Sequence, residues 1–201
     1  MKTNIFEHMG ANLAASLRIT LVTIALCGGV YPLAIWSFAR VAAPELADGS
    51  LVRDQRGNVV GSRLIAQAFK RPEYFWPRPS AVNCDASASG GSNLSPASPV
   101  VRDRAVKSVA AFGADAKRPL PADLVAASGS GLDPDITLEA ALYQAGRVAN
   151  ARRLDRSVVE ALVRRQADGG RIPLSGESLI NVLTLNMALD EMQKAVTSRQ
   201  P

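Results

Sequence analysis

An α+β domain carried by one N-terminal membrane helix is the fold class this sequence predicts. Three observations lead there. A single uncharged apolar run extends from Ile19 to Ala39, a strand-turn-strand pattern follows it, and helical patterns fill the second half of the 201-residue chain. Strands first and helices afterwards, without βαβ alternation, is the order expected of an α+β fold.

The apolar run, ITLVTIALCGGVYPLAIWSFA, is the first element. At roughly 1.5 Å per residue it reaches about 31 Å, enough for a hydrocarbon core of about 30 Å. Arg18 and Arg40 bracket it and should sit at the interfaces, because either would cost about 2.5–3.5 kcal/mol at the bilayer centre; Trp36 and Phe38 suit the far headgroup level. A cleaved secretory signal ending at Val41-Ala42-Ala43 is the alternative. Secretory apolar regions usually run to about 7–15 residues, shorter than this one, and Pro44 would follow the scissile bond. Within the span, Pro32 lacks an amide hydrogen and crowds the Gly28 carbonyl, which predicts a kink near Gly28-Gly29. Ala25 and Gly29 form a small-x-x-x-small pair that would let another helix approach. Residues 1–18 then read as a short cytoplasmic segment, 19–39 as the transmembrane helix and 40–201 as one extramembrane domain. Lys2 and Arg18 ahead of the span favour an inside N-terminus only slightly over Arg40 behind it.

The hairpin comes next. Leu51-Val52, the turn residues Asp54-Gln55-Arg56-Gly57 and Asn58-Val59-Val60 predict two antiparallel strands. Arg63 to Phe69 reads equally as a third strand or a short helix. Residues 71–99 carry five prolines and a Ser/Ala/Gly tract, so a long irregular loop is expected. The aromatic cluster Tyr74-Phe75-Trp76 at its start argues for order there.

Helices follow: a weak one over Arg102 to Ala114, a short one after Pro121, and a strong one from Thr137 to Arg153. Thr137 is its candidate N-cap, Glu139 lies in its first turn and Arg152-Arg153 in its last. Ser157 to Gln166 forms another, closed by Gly169-Gly170. From Ser178 to Lys194, the positions Leu179, Val182, Leu183, Asn186, Leu189 and Met192 make one stripe. No internal repeat is present.

Composition narrows the function. The net charge is +5 and only 5% of residues are aromatic, with no basic run interleaved with aromatics, so nucleic-acid binding has no support. The two cysteines, Cys27 in the span and Cys84 in the domain, make no disulfide framework, and Cys84 reads as a bystander. The only histidine, His8, precedes the membrane run, so the domain lacks a His-based triad or His-ligated metal site. No GxxxxGK[ST] loop occurs.

Weaker signals remain. Asp133-Pro134-Asp135 suits a turn favouring the following helix N-terminus better than a cation site. Two Gly/Ser loops, Gly90-Gly91-Ser92-Asn93 and Ser128-Gly129-Ser130-Gly131, are plain turns or anion-facing amides. Gln144 and Arg147 share a helix face, and spacing alone favours a surface pair.

Taken together, six segments carry a resemblance: Gly61-Ser62-Arg63-Leu64-Ile65, Tyr74-Phe75-Trp76-Pro77-Arg78-Pro79-Ser80-Ala81, Gly91-Ser92-Asn93-Leu94, Ser128-Gly129-Ser130-Gly131-Leu132-Asp133-Pro134, Ala141-Leu142-Tyr143-Gln144-Ala145-Gly146-Arg147-Val148-Ala149 and Asn181-Val182-Leu183-Thr184-Leu185-Asn186. In this order, behind one N-terminal span, the chain resembles the C subunit of the Kdp potassium-transporting ATPase over nearly its whole length. Around Asn83-Cys84-Asp85 and at Ala66 it departs from the family, where a tyrosine and a glycine are expected.

The resemblance implies an accessory, non-catalytic subunit of a bacterial inner-membrane pump. Its partners would be a channel-like potassium-binding subunit, a P-type ATPase subunit and a small fourth subunit. The family role is a catalytic chaperone raising the ATP affinity of the ATPase subunit, with Gln144, and Arg147 beside it, as the proposed nucleotide contact. No cofactor is tightly bound, and ATP would be met only through the complex. The family's assembled pump has this domain in the periplasm, away from cytosolic ATP, which favours a scaffold that caps the channel-like subunit. Gly91, Ser92, Asn93, Ser128, Gly129, Ser130, Gly131 and Asp133 are then interface or loop candidates. The reading from another class is a membrane-anchored Ser/Lys hydrolase, for which Lys70, Lys107, Lys117 and Lys194 are the available bases, none in a buried-looking apolar frame. A third is a structural anchor without a pump.

Overall fold

The computed structural model describes residues 9–54, 56–167 and 178–197. His8, Gln55 and the Gly169-Gly170 pair lie outside them. The chain divides into two compact units, up to Ser50 and from Leu51 onward.

The first unit is helical: α1 (Met9–Ala25), a π-helical turn over Leu26–Val30, α2 (Tyr31–Ala42) and the short α3 (Pro44–Ala47). Met9–Ala42 is long and apolar enough to cross a membrane, with a mean hydropathy of 1.9 in its best window. The expected disruption at Gly28-Gly29 takes the form of the π turn, in which the Tyr31 amide donates to the Leu26 carbonyl. Pro32 supplies no donor to the preceding turn, and a widened turn re-satisfies the neighbouring carbonyls. Arg40 pairs with Asp48 and lies 5.7 Å from the Trp36 ring centroid.

The second unit opens with the predicted hairpin. Strand β1 (Leu51–Arg53) pairs antiparallel with β2 (Val59–Ser62), Leu51 opposite Ser62, with an irregularity between Val52 and Arg53. Asp54 shapes the turn by accepting from the Arg56 and Asn58 amides at 2.8 and 2.9 Å, and Gly57 takes a φ of +82° that only glycine adopts freely. Residues 63–69, expected as strand or helix, are neither. They run as turn and irregular chain, with the Ala66 amide donating to the Leu132 carbonyl at 2.9 Å.

No helix or strand intervenes before α4 (Pro99–Phe112), so the long irregular loop is present. A single 3₁₀ turn, Ala122–Leu124, follows, then β3 (Asp135–Thr137), α5 (Leu138–Arg152) and α6 (Arg156–Ala167). Next come β4 (Leu179–Asn181) and α7 (Val182–Thr197). Thr137 caps α5 as expected, its hydroxyl accepting from the Ala140 amide at 3.1 Å.

The β3–β4 pair is absent from the sequence reading, which put Leu179 at the start of a helix stripe. It is antiparallel, with Ile136 opposite Ile180 and both buried. A three-residue strand offers too few positions to separate a period of two from one of 3.6, and each strand runs directly into a helix. Around this pair the core gathers Phe75, Leu124, Ile136, Val148, Val159, Val163, Ile180, Leu185 and Leu189. Buried Ala140, Ala141, Ala145 and Ala149 line the inner side of α5 and allow close approach of its neighbours.

Candidate functional site

The irregular segment Pro72–Trp76 sets Phe75 into this core without a strand partner. A buried backbone must still place its polar groups, and here side chains from α5 and α7 do so. The five consecutive carbonyls accept from Arg147 (Pro72, 2.6 Å), Arg152 (Glu73, 2.7 Å), Arg147 again (Tyr74, 3.0 Å), Asn186 (Phe75, 3.0 Å) and Gln144 (Trp76, 3.1 Å). The two amides also work in reverse. Phe75 N–H donates to Asn186 Oδ1 and Trp76 N–H to Gln144 Oε1, both at 2.8 Å.

Gln144 and Arg147 are therefore not the surface pair that spacing favoured. Gln144 is 1% exposed, and its Oε1 accepts a second bond from Arg147 Nη2 at 2.7 Å. The Arg147 guanidinium lies 3.8 Å from the Trp76 ring centroid, and its Nε is buried without a partner. Burial pulls its pKa down to about 10, so it remains protonated at neutral pH.

Arg152, 9% exposed, pairs with Asp190 at 2.6 Å, bonds Gln193 at 2.7 Å and sits 4.9 Å from the Tyr74 ring. Asn186, expected in a helix stripe, and Arg152, expected to close a helix, have no site role in the sequence reading. An amide inside an otherwise apolar helix stripe was the available signal, since a buried amide must find partners.

The two Gly/Ser loops are brought together, with one backbone bond between them and another tying the second loop to Pro79. Gly90 N–H donates to the Ser130 carbonyl at 2.7 Å, and Ser128 N–H to the Pro79 carbonyl at 2.9 Å. A Cβ on Gly91 would lie 2.7 Å from the Gly129 carbonyl oxygen; one on Gly131, at φ +71°, would lie 2.5 Å from a Val82 methyl. Only glycine permits that approach. Ser128 is buried and its hydroxyl accepts from Asp133 N–H at 3.3 Å, while Ser92 is half-buried and Asn93 exposed at φ +49°. No hydrogen bond joins this loop pair to Gln144 or Arg147 among the described residues.

Asp133 pairs with Arg78 at 2.7 Å and accepts from Asp135 N–H at 3.1 Å. It thus ties the aromatic loop to β3, and its bond to Asp135 N–H closes the turn expected at Asp133-Pro134-Asp135. Asp135 accepts from Asn181 Nδ2 at 3.1 Å, yet burial pushes its pKa up, with the Asp133 charge adding to the rise. Both cysteines are free thiols, and no cluster of three or more His, Cys, Asp or Glu suited to a metal ion occurs among the described residues.

The family profile described as "KdpC: K+-transporting ATPase, c chain" matches residues 13–191. The potassium-transporting ATPase KdpC subunit of Parvibaculum lavamentivorans is 48% identical over 181 residues, covering 90% of this chain and 97% of that protein. The KdpC subunit of Dechloromonas aromatica is 47% identical over 187 residues, covering 90% and 96%. That of Geobacter sulfurreducens is 44% identical over 182 residues, covering 89% and 96%.

Proposed function

The chain belongs to the KdpC family of K+-transporting ATPase c chains, and on that premise we propose that it is the accessory, non-catalytic subunit that supports assembly of such a pump. Its partners are a channel-like potassium-binding subunit, a P-type ATPase subunit and a small fourth subunit. Met9–Ala42 anchors it in the bacterial inner membrane, with the domain on the periplasmic side.

The five-carbonyl clamp on Pro72–Trp76 carries this reading. It fixes an irregular segment at the cost of burying two amides and an arginine, a device suited to presenting a rigid surface. Gln144 has both amide atoms engaged inside the chain, so its best-supported work is holding that segment.

A second reading keeps Gln144 and Arg147 as a nucleotide contact that raises the ATP affinity of the partner. One observation favours it: the Arg147 guanidinium, with an unpartnered nitrogen, stacked near the Trp76 indole. Gln144→Ala in the purified complex separates the two. Loosened subunit stoichiometry with an unchanged ATP dependence of hydrolysis supports the scaffold. Full stoichiometry with a severalfold weaker ATP dependence, and the domain reached by protease only from the cytoplasm, overturns it.

A further inference from the structure

Between α4 and the loop running from Trp76 to Cys84 lies a cavity of about 480 Å³ that adjoins the clamp at Trp76 and includes neither Gln144 nor Arg147 in its lining. Its apolar wall is Phe69, Trp76, Phe112 and Leu124, with the Trp76 and Phe112 rings edge to face at 5.1 Å between centroids. A volume of this order and an aromatic lining are typical of small-molecule sites.

The charge on the lining is one-sided. Lys70, Arg104 and Lys107 all contribute, and no Asp or Glu does. None of the three has an ion-pair or hydrogen-bond partner among the described residues, and Arg104 Nε is buried with its donor unused. Arg104, Lys107, Ser108 and Ala111 recur at helical spacing, so one face of α4 supplies that wall. A buried, unused guanidinium donor is unfavourable unless an acceptor reaches it.

The opposite wall is strained. Asn83 and Cys84, consecutive and neither a glycine, both lie in the left-handed region at φ +56° and +58°. Ser80 holds that conformation, its hydroxyl accepting from Val82 and Cys84 N–H at 3.1 and 2.9 Å and donating to the Gly131 carbonyl at 2.6 Å. Strain that its surroundings over-determine clusters at ligand sites.

We propose that this cavity binds a small amphipathic organic anion, its apolar or aromatic body against Phe69, Trp76 and Phe112 and its carboxylate or phosphate against Arg104 and Lys107. Charge-assisted hydrogen bonds to Arg104 supply orientation, and the ring wall supplies apolar contact. An anionic lipid and a soluble metabolite share this chemistry.

Calorimetric titration of the full chain in neutral detergent tests it, with heats against protein-free micelles subtracted. The probes are 2-naphthoate, neutral 2-naphthamide and inorganic phosphate. Saturable 2-naphthoate binding, at least about tenfold tighter than either other probe, is expected. Arg104→Gln with Lys107→Gln should weaken it about tenfold or more, and Lys70→Gln, on an exposed side chain, severalfold, while Lys117→Gln leaves it unchanged. Absence of saturable 2-naphthoate binding, equal binding of 2-naphthamide, equal binding of phosphate, or an affinity indifferent to the three cavity substitutions overturns the site. In nanodiscs of neutral phosphatidylcholine, competition by added phosphatidylglycerol identifies an anionic lipid as the source. Unaltered 2-naphthoate binding there identifies a soluble molecule.

Discussion

Gln144 and Trp76 exchange a pair of hydrogen bonds, Trp76 N–H to Gln144 Oε1 at 2.8 Å and Gln144 Nε2 to the Trp76 carbonyl at 3.1 Å. A side-chain amide thus acts toward a loop as a neighbouring strand would. Asn186 repeats the arrangement on Phe75, one residue earlier.

Gln144→Ala should therefore destabilise the domain by about 1–3 kcal/mol, because it leaves the part-buried Trp76 N–H and carbonyl without their partners. Asn186→Ala should cost a similar amount. The double variant should lose less than the two together, since both amides hold one segment and its release is a single event. Thermal or denaturant unfolding of the four proteins in one detergent checks this; strict additivity would separate the two clamps.

Arg147→Lys should also destabilise, by about 1–2 kcal/mol, although the charge is kept. The guanidinium serves the Pro72 and Tyr74 carbonyls and Gln144 Oε1 at once, and an ammonium on a flexible stem does not match that fork. Weaker Trp76 burial, read as a red shift of its emission in a Trp36→Phe background, should accompany the loss.

Gly131→Ala should cost about 2 kcal/mol or more. Its φ of +71° disfavours a side chain, and the new Cβ would meet Val82 and the Gly90 carbonyl at 2.5 and 2.7 Å, so the loop pair must part. Gly129→Ala, with nothing within 4 Å of its Cβ, is the matched control expected to fold normally.

Asp135 carries a signed pH dependence. Its folded pKa is raised by burial, so the folded chain holds that proton more tightly than the unfolded one. The contribution is fully present at low pH and is lost as pH rises from the ordinary carboxylate value through the raised one. Asp135→Asn should accordingly gain stability over the parent at pH 7, with the gap closing on acidification toward pH 4. A gap that widens with acidification would mean that Asn181 outweighs desolvation at this carboxyl.

Leu26→Arg should sharply lower the fraction of chain resisting carbonate extraction from membranes, because a charge near mid-span costs about 2.5–3.5 kcal/mol. An unchanged fraction would remove Met9–Ala42 as the membrane anchor.

The membrane-length helix, the Asp54-Gly57 hairpin, the irregular 71–99 stretch and the Thr137-capped helix were legible in the sequence, as was the family. The family rests on six segments in order along the chain; each of the elements rests on a local rule, run length, turn chemistry, proline density or an N-cap. Only the tertiary structure decided the rest. Ile136 and Ile180 find each other across β3 and β4, and Pro72–Trp76 is held by Arg147, Arg152, Asn186 and Gln144. Asp133 pairs with Arg78, and Gly91 meets Gly129. These partners are distant in sequence, and what selects them is the need of buried backbone and amide groups for any available match, a constraint that exists only once the core has closed.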